Sequence, residues 1–364
     1  GFNGDVEETI VSGSDEQPYF INIRPVIDKI TNEIEGAVLK LTHTDKLNAL
    51  VASRTGAVAS YRFEDIIGVN KEFQKCLSLA KRFAHSKENI LIIGESGTGK
   101  ELFAQAIHNE YRPQGPFMAV NCAAMPRELI ESELFGYEGG SFTGGERKGR
   151  PGKIEMANGG TLFLDEVGDM PLELQAVLLR ALEDKQVMRI GGRSYKKVDF
   201  RLLAATNKDL YKMVQENQFR EDLYFRLSVL NINLPPLRER REDIELFSRY
   251  FVESYCQKLG WNIYKTSPEA QRIINEYDWP GNVRQLQNAM IYAVNSAQDE
   301  LIRVENLPNY ILVDSNVKKI NDKNNNVLAD TLKLEELEKQ AIVTALARAN
   351  NDMFDASLLL GISR

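Results

Sequence analysis

Only three cysteines occur in 364 residues, Cys76, Cys122 and Cys256, and no two of them form a CxxC pair. That spacing excludes a disulfide framework or a zinc ribbon and fits a reducing cytoplasm. No apolar run approaches membrane-spanning length, and no basic region followed by an apolar stretch opens the chain, so neither a membrane span nor a secretory leader is expected. Positive charge is scarce, with 45 Lys and Arg against 52 Asp and Glu, a net charge of −7. The deficit argues against a surface coated in nucleic acid but leaves room for one small DNA-reading module. There is no internal repeat. The chain begins "GFNGD" without Met and stops at "LLLGISR" inside a helical pattern, which predicts a piece of a longer protein at both ends.

What is present is enough for two or three domains: 43% of the residues are hydrophobic. Residues 1–57 form a first unit. "PYFINIRPV" places Tyr19, Ile21 and Ile23 on one face, and "GAVLKLT" places Ala37, Leu39 and Leu41 on another. Both read as alternating strands joined by the polar turn "DKITNEIEG". A hairpin from any small α/β domain fits, and so do the last strands of a PAS-like sensor. Residues 58–235 alternate helices with the apolar runs "NILIIG", "PFMAVN", "GTLFLDE", "VDFRLLAATN" and "LSVLNINLP". Continuous apolar strands separated by helices predict a parallel five-stranded sheet covered on both faces, an α/β fold. Residues 236–312 are helical only, with Ser267 placed to cap a helix that starts at Pro268. Residues 313–328 are an Asn-rich linker, and 329–364 carry an amphipathic helical stripe.

The chemistry concentrates in the second unit. "NILIIGESGTGKE" is a buried strand, a glycine loop and a helix start, with Gly94, Gly99 and Lys100 at P-loop spacing. The loop residues Gly94, Glu95, Ser96, Gly97, Thr98 and Gly99 let backbone N–H groups converge on phosphate oxygens, and Lys100 reaches the terminal phosphates. Glu101 stands where Ser or Thr usually offers a hydroxyl to Mg²⁺. "GGTLFLDE" ends a strand in Asp165 and Glu166, acids at the carboxyl edge of a parallel sheet. There Asp165 suits a Mg²⁺ ligand and Glu166 a base for the attacking water. Asn207, after "LLAAT", sits on a further strand edge and can orient the water or the γ-phosphate. Arg220 and Arg226 in "FREDLYFRL" lie six apart, on nearby helix faces. An arginine donated across a subunit boundary raises phosphoryl hydrolysis by about 10³–10⁵. Arg284 follows the rigid corner Trp279-Pro280-Gly281 and can touch the nucleotide.

Residues 64–312 together resemble the AAA+ ATPases of the sigma-54-dependent transcription activators, the bacterial enhancer-binding proteins. "GESGTGKE" resembles their Walker A segment, Glu101 included, and "NGGTLFLDE" their Walker B segment. "AATN" is similar to sensor I, "FREDLYFRL" to the arginine-finger helix and "WPGNVRQLQN" to the sensor II helix. The resemblance implies ATP and Mg²⁺ as ligands, adds Ile67 to the nucleotide-binding set, and makes Asn121 a switch that holds Glu166. It also gives a role to "GGSFTGG", where four glycines frame a Ser-Phe-Thr that a solvated loop has no reason to carry. Gly140, Ser141, Phe142, Thr143, Gly144 and Gly145 resemble the family's GAFTGA loop, with Ser141 and Gly145 in place of Ala. Such a loop rises from the ATPase and presses on sigma-54 RNA polymerase, with Phe142 and Thr143 as its tip. The end of the chain resembles a Fis-type helix-turn-helix that stops where the recognition helix begins, and a PAS-like N-terminus is common in the family. The implied protein is a cytoplasmic homo-oligomeric ring, a hexamer, bound to enhancer DNA in its full length. A general AAA+ machine such as an unfoldase or helicase loader shares the site but not the loop. A scaffold with a dead ATPase is opposed by intact Lys100, Asp165 and Glu166.

Overall fold

Five apolar runs need burial on both faces, and a parallel sheet between helices supplies it. The computed structural model describes residues 7–12, 18–27 and 34–43 as strands, then residues 59–123, 126–140, 149–313 and 342–343. Residues 141–145 of the Phe-Thr loop and nearly all of the helix-turn-helix segment lie outside the described residues. No helix among the described residues is long and apolar enough to cross a membrane.

The N-terminal strands β1 (Glu7–Ser12), β2 (Pro18–Ile27) and β3 (Ile34–His43) form an antiparallel sheet in the order β1-β2-β3. Ile21 pairs with Leu41 and Ile23 with Leu39, so the two alternating faces expected from the sequence are in register. β1 is an addition to the expected hairpin.

The main sheet is built from β4 (Ile90–Ile93), β5 (Phe117–Asn121), β6 (Thr161–Asp165), β7 (Arg201–Thr206) and β8 (Leu230–Asn233). Each strand falls inside one of the five apolar runs. Their order is β8-β4-β7-β6-β5, and every pairing is parallel. Alternate residues enter opposite cores. Leu91, Val120, Leu162, Leu164, Leu202 and Ala204 join one cluster. Ile90, Ile92, Phe117, Phe163, Leu203 and Ala205 join the other. Burial of a side chain such as Phe163 stabilises by about 1.5–3 kcal/mol.

The covering helices are α1 (Lys71–Ala84), α2 (Lys100–Tyr111), α3 (Arg127–Phe135), α4 (Lys153–Met156), α5 (Leu172–Asp184), α6 (Leu210–Gln215) and α7 (Glu221–Leu227). The Asn70 side chain caps α1 by accepting from the backbone N–H groups of Glu72 and Phe73. At the other end of α1 the buried Arg201 guanidinium donates to the carbonyls of Phe83 and Ala84 in its last turn and of Glu88 just beyond it. Between α3 and α4 a short antiparallel stem pairs Gly136–Tyr137 with Arg150–Pro151. The Glu138 amide donates to Ile190 (3.0 Å) and the Ile190 amide to Gly136 (2.9 Å), so a second segment braces the stem.

Two compact units are distinguished, Gly1–Arg249 with Asp278–Gln287, and Tyr250–Tyr277 with Asn288–Arg364. α8 (Glu242–Leu259) and α10 (Asn282–Ser296) contribute to both, whereas α9 (Pro268–Glu276) belongs to the second. Ser267 caps α9 by accepting from the Ala270 amide, and Pro268 takes its first turn, as the sequence predicts. The second unit buries Cys256, Ile274, Met290, Val294 and Ile311.

α2 carries the glycine loop at its start and is anchored near its end by His108, whose Nδ1 hydrogen-bonds Thr161 Oγ1 at 2.8 Å in the interior. Burial, with the Arg112 charge as a smaller cause, lowers the imidazole from 6.5 to about 4 against an opposing bond to the Gly115 backbone. The unfolded chain therefore takes up a proton near pH 6.5 that the folded chain refuses until about pH 4. This stability is complete above pH 6.5 and drains as the pH falls towards 4, by on the order of 3 kcal/mol. A His108→Gln variant should lose this part of the acid sensitivity. Thermal midpoints of both proteins across that range test it, and parallel curves would assign the sensitivity to other groups.

Candidate functional site

β4 ends in the glycine loop and β6 ends in Asp165, and both ends lie on one edge of the sheet. Ile93 pairs with Thr206 and Asn121 with Asp165, so the termini of β4, β7, β6 and β5 stand side by side. The loop turns through Gly97 (φ 78°) and Gly99 (φ 106°) into α2. Lys100, the first residue of α2, is buried. Its ammonium donates to the carbonyls of Gly94 (2.9 Å) and Glu95 (3.4 Å) and to Glu166 Oε1 (3.3 Å). The loop lysine and the acid after β6 therefore meet, although 66 residues separate them.

Glu166 adopts a left-handed backbone conformation (φ 51°, ψ 48°) that an L residue with a side chain holds only when its surroundings impose it. The bonds that impose it are present. Its amide donates to Asp165 Oδ1 at 3.1 Å, and its Oε2 accepts from the Asn207 amide at 3.1 Å. Asn207 thus meets the acid through its backbone N–H.

Asn121 differs from expectation in its partner. Its Nδ2 donates to Asp165 Oδ2 at 3.3 Å, and its Oδ1 accepts from the Ala123 amide, so it holds Asp165 instead of Glu166. The reason is register: Asn121 sits opposite Asp165 in the parallel ladder, one residue short of Glu166.

The Asp165 carboxyl is pushed up first by burial and then by the charges of Glu166 and, more weakly, Glu101, with Lys100 opposing. Such an under-compensated acidic edge suits a divalent cation. Among the described residues no group of three or more His, Cys, Asp or Glu side chains is arranged to hold a metal by itself. Mg²⁺ in nucleotide sites is held by one or two carboxylates together with substrate phosphates and water. Asp165 fits as the protein's ligand. Below it the Cys122 thiol, pushed up to about 12 by burial and the neighbouring Asp165, stays protonated.

The loop's outer side rests on the corner at 279–285. The Val283 amide donates to the Gly97 carbonyl (3.1 Å), and Arg284 Nη1 donates to Ser96 Oγ (3.4 Å). Two residues not singled out from the sequence join here: Arg238 donates to both carboxylate oxygens of Glu95, and Asn282 Nδ2 donates to Glu95 Oε2. The Arg-rich run "LRERRED" was the one sequence signal for Arg238. Glu101 accepts from Gln105 Nε2 at 3.1 Å. Ile67 is half-buried, beside a turn whose Val69 and Asn70 amides donate to the buried Asp243 carboxylate.

Arg220 and Arg226 are both exposed. Arg220 precedes the first turn of α7 and is held by Asp222, with Nε–Oδ1 at 3.0 Å and Nη2–Oδ2 at 2.6 Å. Arg226 lies in the last turn. They belong to one segment that is separate from the Lys100–Glu166 pair, with no described bond to it.

A glycine loop between a strand and a helix, beside an acidic strand end, defines the P-loop class of nucleotide site. Comparison with known proteins specifies it. Residues 66–233 match the family described as Sigma-54 interaction domain, 238–324 the AAA+ ATPase lid domain, and 333–364 the bacterial regulatory protein, Fis family. The DNA-binding transcriptional regulator NtrC of Escherichia coli (strain K12) is 41% identical over 322 residues, 82% of this chain and 68% of that protein. A signal-transduction and transcriptional-control protein of Clostridium beijerinckii is 42% identical over 363 residues, 98% of this chain but 56% of its own length. The crystal structure of NtrX from Brucella abortus in complex with ATP superposes with a TM-score of 0.63 at 32% identity, covering 88% of this chain and 70% of that one. The chain belongs to the sigma-54-dependent transcriptional activators. It spans little more than half the length of the Clostridium relative.

The packing at Gly97 yields a direct test. A Cβ there would collide with the Gly281 carbonyl and press on Arg284, and the left-handed φ adds strain of about 1–2 kcal/mol. Gly97→Ala should weaken ATP binding by about tenfold or more. Gly159 has a similar φ of 77° but open space around it, so Gly159→Ala serves as the strain-only control. Equal ATP affinities of the two variants by equilibrium titration would contradict the close packing.

Proposed function

We propose that this chain is the ATP-hydrolysing core of an activator that remodels the closed complex of sigma-54 RNA polymerase. One observation carries the reading: the buried Lys100 ammonium and the Glu166 carboxylate converge to 3.3 Å at the edge of the sheet. In this reading the loop 94–99 wraps the phosphates with its N–H groups, and Lys100 meets the terminal ones. Asp165 holds Mg²⁺, which supplies charge neutralisation to the β- and γ-phosphates when bound. Glu166 draws a proton from the attacking water, and Asn207 steadies the carboxylate through its amide. Asn121 keeps Asp165 in place, and Ile67, Glu101 and Arg284 line the nucleotide. Arg220 and Arg226 act on the ATP of a neighbouring copy in a ring, a hexamer, which suits their exposure and their distance in role from their own Lys100.

The loop from Gly140 to Gly145 delivers the work to sigma-54, with Phe142 and Thr143 at its tip. The braced stem at 136–138 and 150–151 supports this, because it ties both ends of the loop to the ATPase body. The strands at 7–43 belong to a PAS-like sensor, and the C-terminal helix-turn-helix places the full-length protein on enhancer DNA in the cytoplasm.

Two measurements test the two halves of this reading. Glu166→Gln should keep ATP affinity and lower phosphate release by about 10²–10⁴-fold, the usual contribution of a positioned base. Release at the wild-type rate would remove Glu166 from the chemistry. Phe142→Ala should keep ATP turnover but lose binding to sigma-54 in ADP with aluminium fluoride. Burying one such ring is worth about 1.5–3 kcal/mol, and several subunits engage together. Normal sigma-54 capture by Phe142→Ala would reject the loop as the contact.

A further inference from the structure

Glu95 sits inside the glycine loop, yet its carboxylate is fully engaged by the protein. Arg238 grips it in a fork, Nη2 to Oε1 at 2.7 Å and Nη1 to Oε2 at 2.8 Å. Asn282 Nδ2 adds a third bond to Oε2 at 3.1 Å. These partners lie 143 and 187 residues further along the chain. The same Asn282 amide donates to the Ser96 carbonyl (3.0 Å), while its Oδ1 accepts from the Leu237 amide (2.7 Å). Asn282 is wholly buried and its φ of 53° is left-handed, a conformation this web of bonds maintains.

The arrangement exceeds what a surface ion pair explains. Arg238 and Glu95 are each about two-fifths exposed, so water screens much of the pair's attraction. Its place matters more than its strength. The Glu95 carbonyl is one of the acceptors of Lys100, and Ser96 and Gly97 are the next residues of the phosphate loop. Holding the Glu95 side chain from outside therefore fixes the carbonyl that aims the lysine. Arg238 comes from the Leu237–Glu239 turn and Asn282 from the start of α10, so two segments outside the loop set its shape.

We infer that Arg238 and Asn282 are positioning residues for the phosphate loop, acting through Glu95. The inference rests on the reading of this loop as an ATP site. Neither residue has a described bond to Asp165 or Glu166, so their loss acts first on the loop and on nucleotide affinity.

The test is a double-mutant cycle read by ADP titration and ATP turnover. Arg238→Met and Glu95→Gln should each raise the ADP Kd and the ATP KM by about two- to fivefold, the range of a charged pair discounted for exposure. In Arg238→Met, kcat should stay within about twofold. The double variant should bind no more weakly than the weaker single, because both remove the same interaction. Arg238→Lys, which offers one point charge for two parallel bonds, should fall between wild type and Arg238→Met. Glu95→Gln keeps the shape of the side chain and secures the test if Arg238→Met does not fold. Effects that multiply in the double variant, or a fall in kcat at unchanged KM, would overturn the inference. So would wild-type ADP affinity in both singles. Failure of the wild-type protein itself to bind ADP would instead sink the ATP-site reading, which separates the two failures.

Discussion

A buried ammonium must find partners, and the partners of Lys100 organise the site. Stripping such a charge of water without compensation costs several kcal/mol, a large part of the net stability of a domain. Lys100 is only 6% exposed, and its three acceptors are two loop carbonyls and Glu166. Satisfying all three requires the glycine loop and the acidic end of β6 to share one sheet edge. The strand order meets that condition by placing β7 alone between β4 and β6. One ammonium thus joins the glycine loop to the acid that follows β6.

Much of this was legible in the sequence because the features are local. Five apolar runs named five strands, since a strand covered on both faces has no polar side to blur its limits. The P-loop spacing, Asp165-Glu166 and the Ser267-Pro268 cap each occupy a few consecutive residues, and each is found where expected. Period-two alternation named the faces, and the fold then pairs Ile21 with Leu41 and Ile23 with Leu39. β1, "EETIVS", was not legible, because two acids and a serine leave too little apolar pattern.

What escaped the sequence depends on how distant segments meet. Asn121 was expected to hold Glu166, but ladder register sets it opposite Asp165, and register is a property of two strands together. Asn207 reaches Glu166 through its backbone N–H, a group every residue but proline offers, so its residue type does not announce the contact. The grip of Arg238 and Asn282 on Glu95 joins three stretches with no periodicity between them. A resemblance between families carries residue types across, but the partner of each residue is fixed only when the chain closes.

Strain marks the same place. Among the described residues five non-glycine residues have positive φ, and three of them, Glu166, Trp279 and Asn282, lie at Walker B or at the corner under the glycine loop. Intrinsic backbone preference opposes each, so each is held by contacts made only in the folded state. For Glu166 those contacts are Asp165 Oδ1, the Asn207 amide and Lys100. Glu166 is thereby tied to the glycine loop through Lys100 and to Asp165, which Asn121 joins to the neighbouring strand β5.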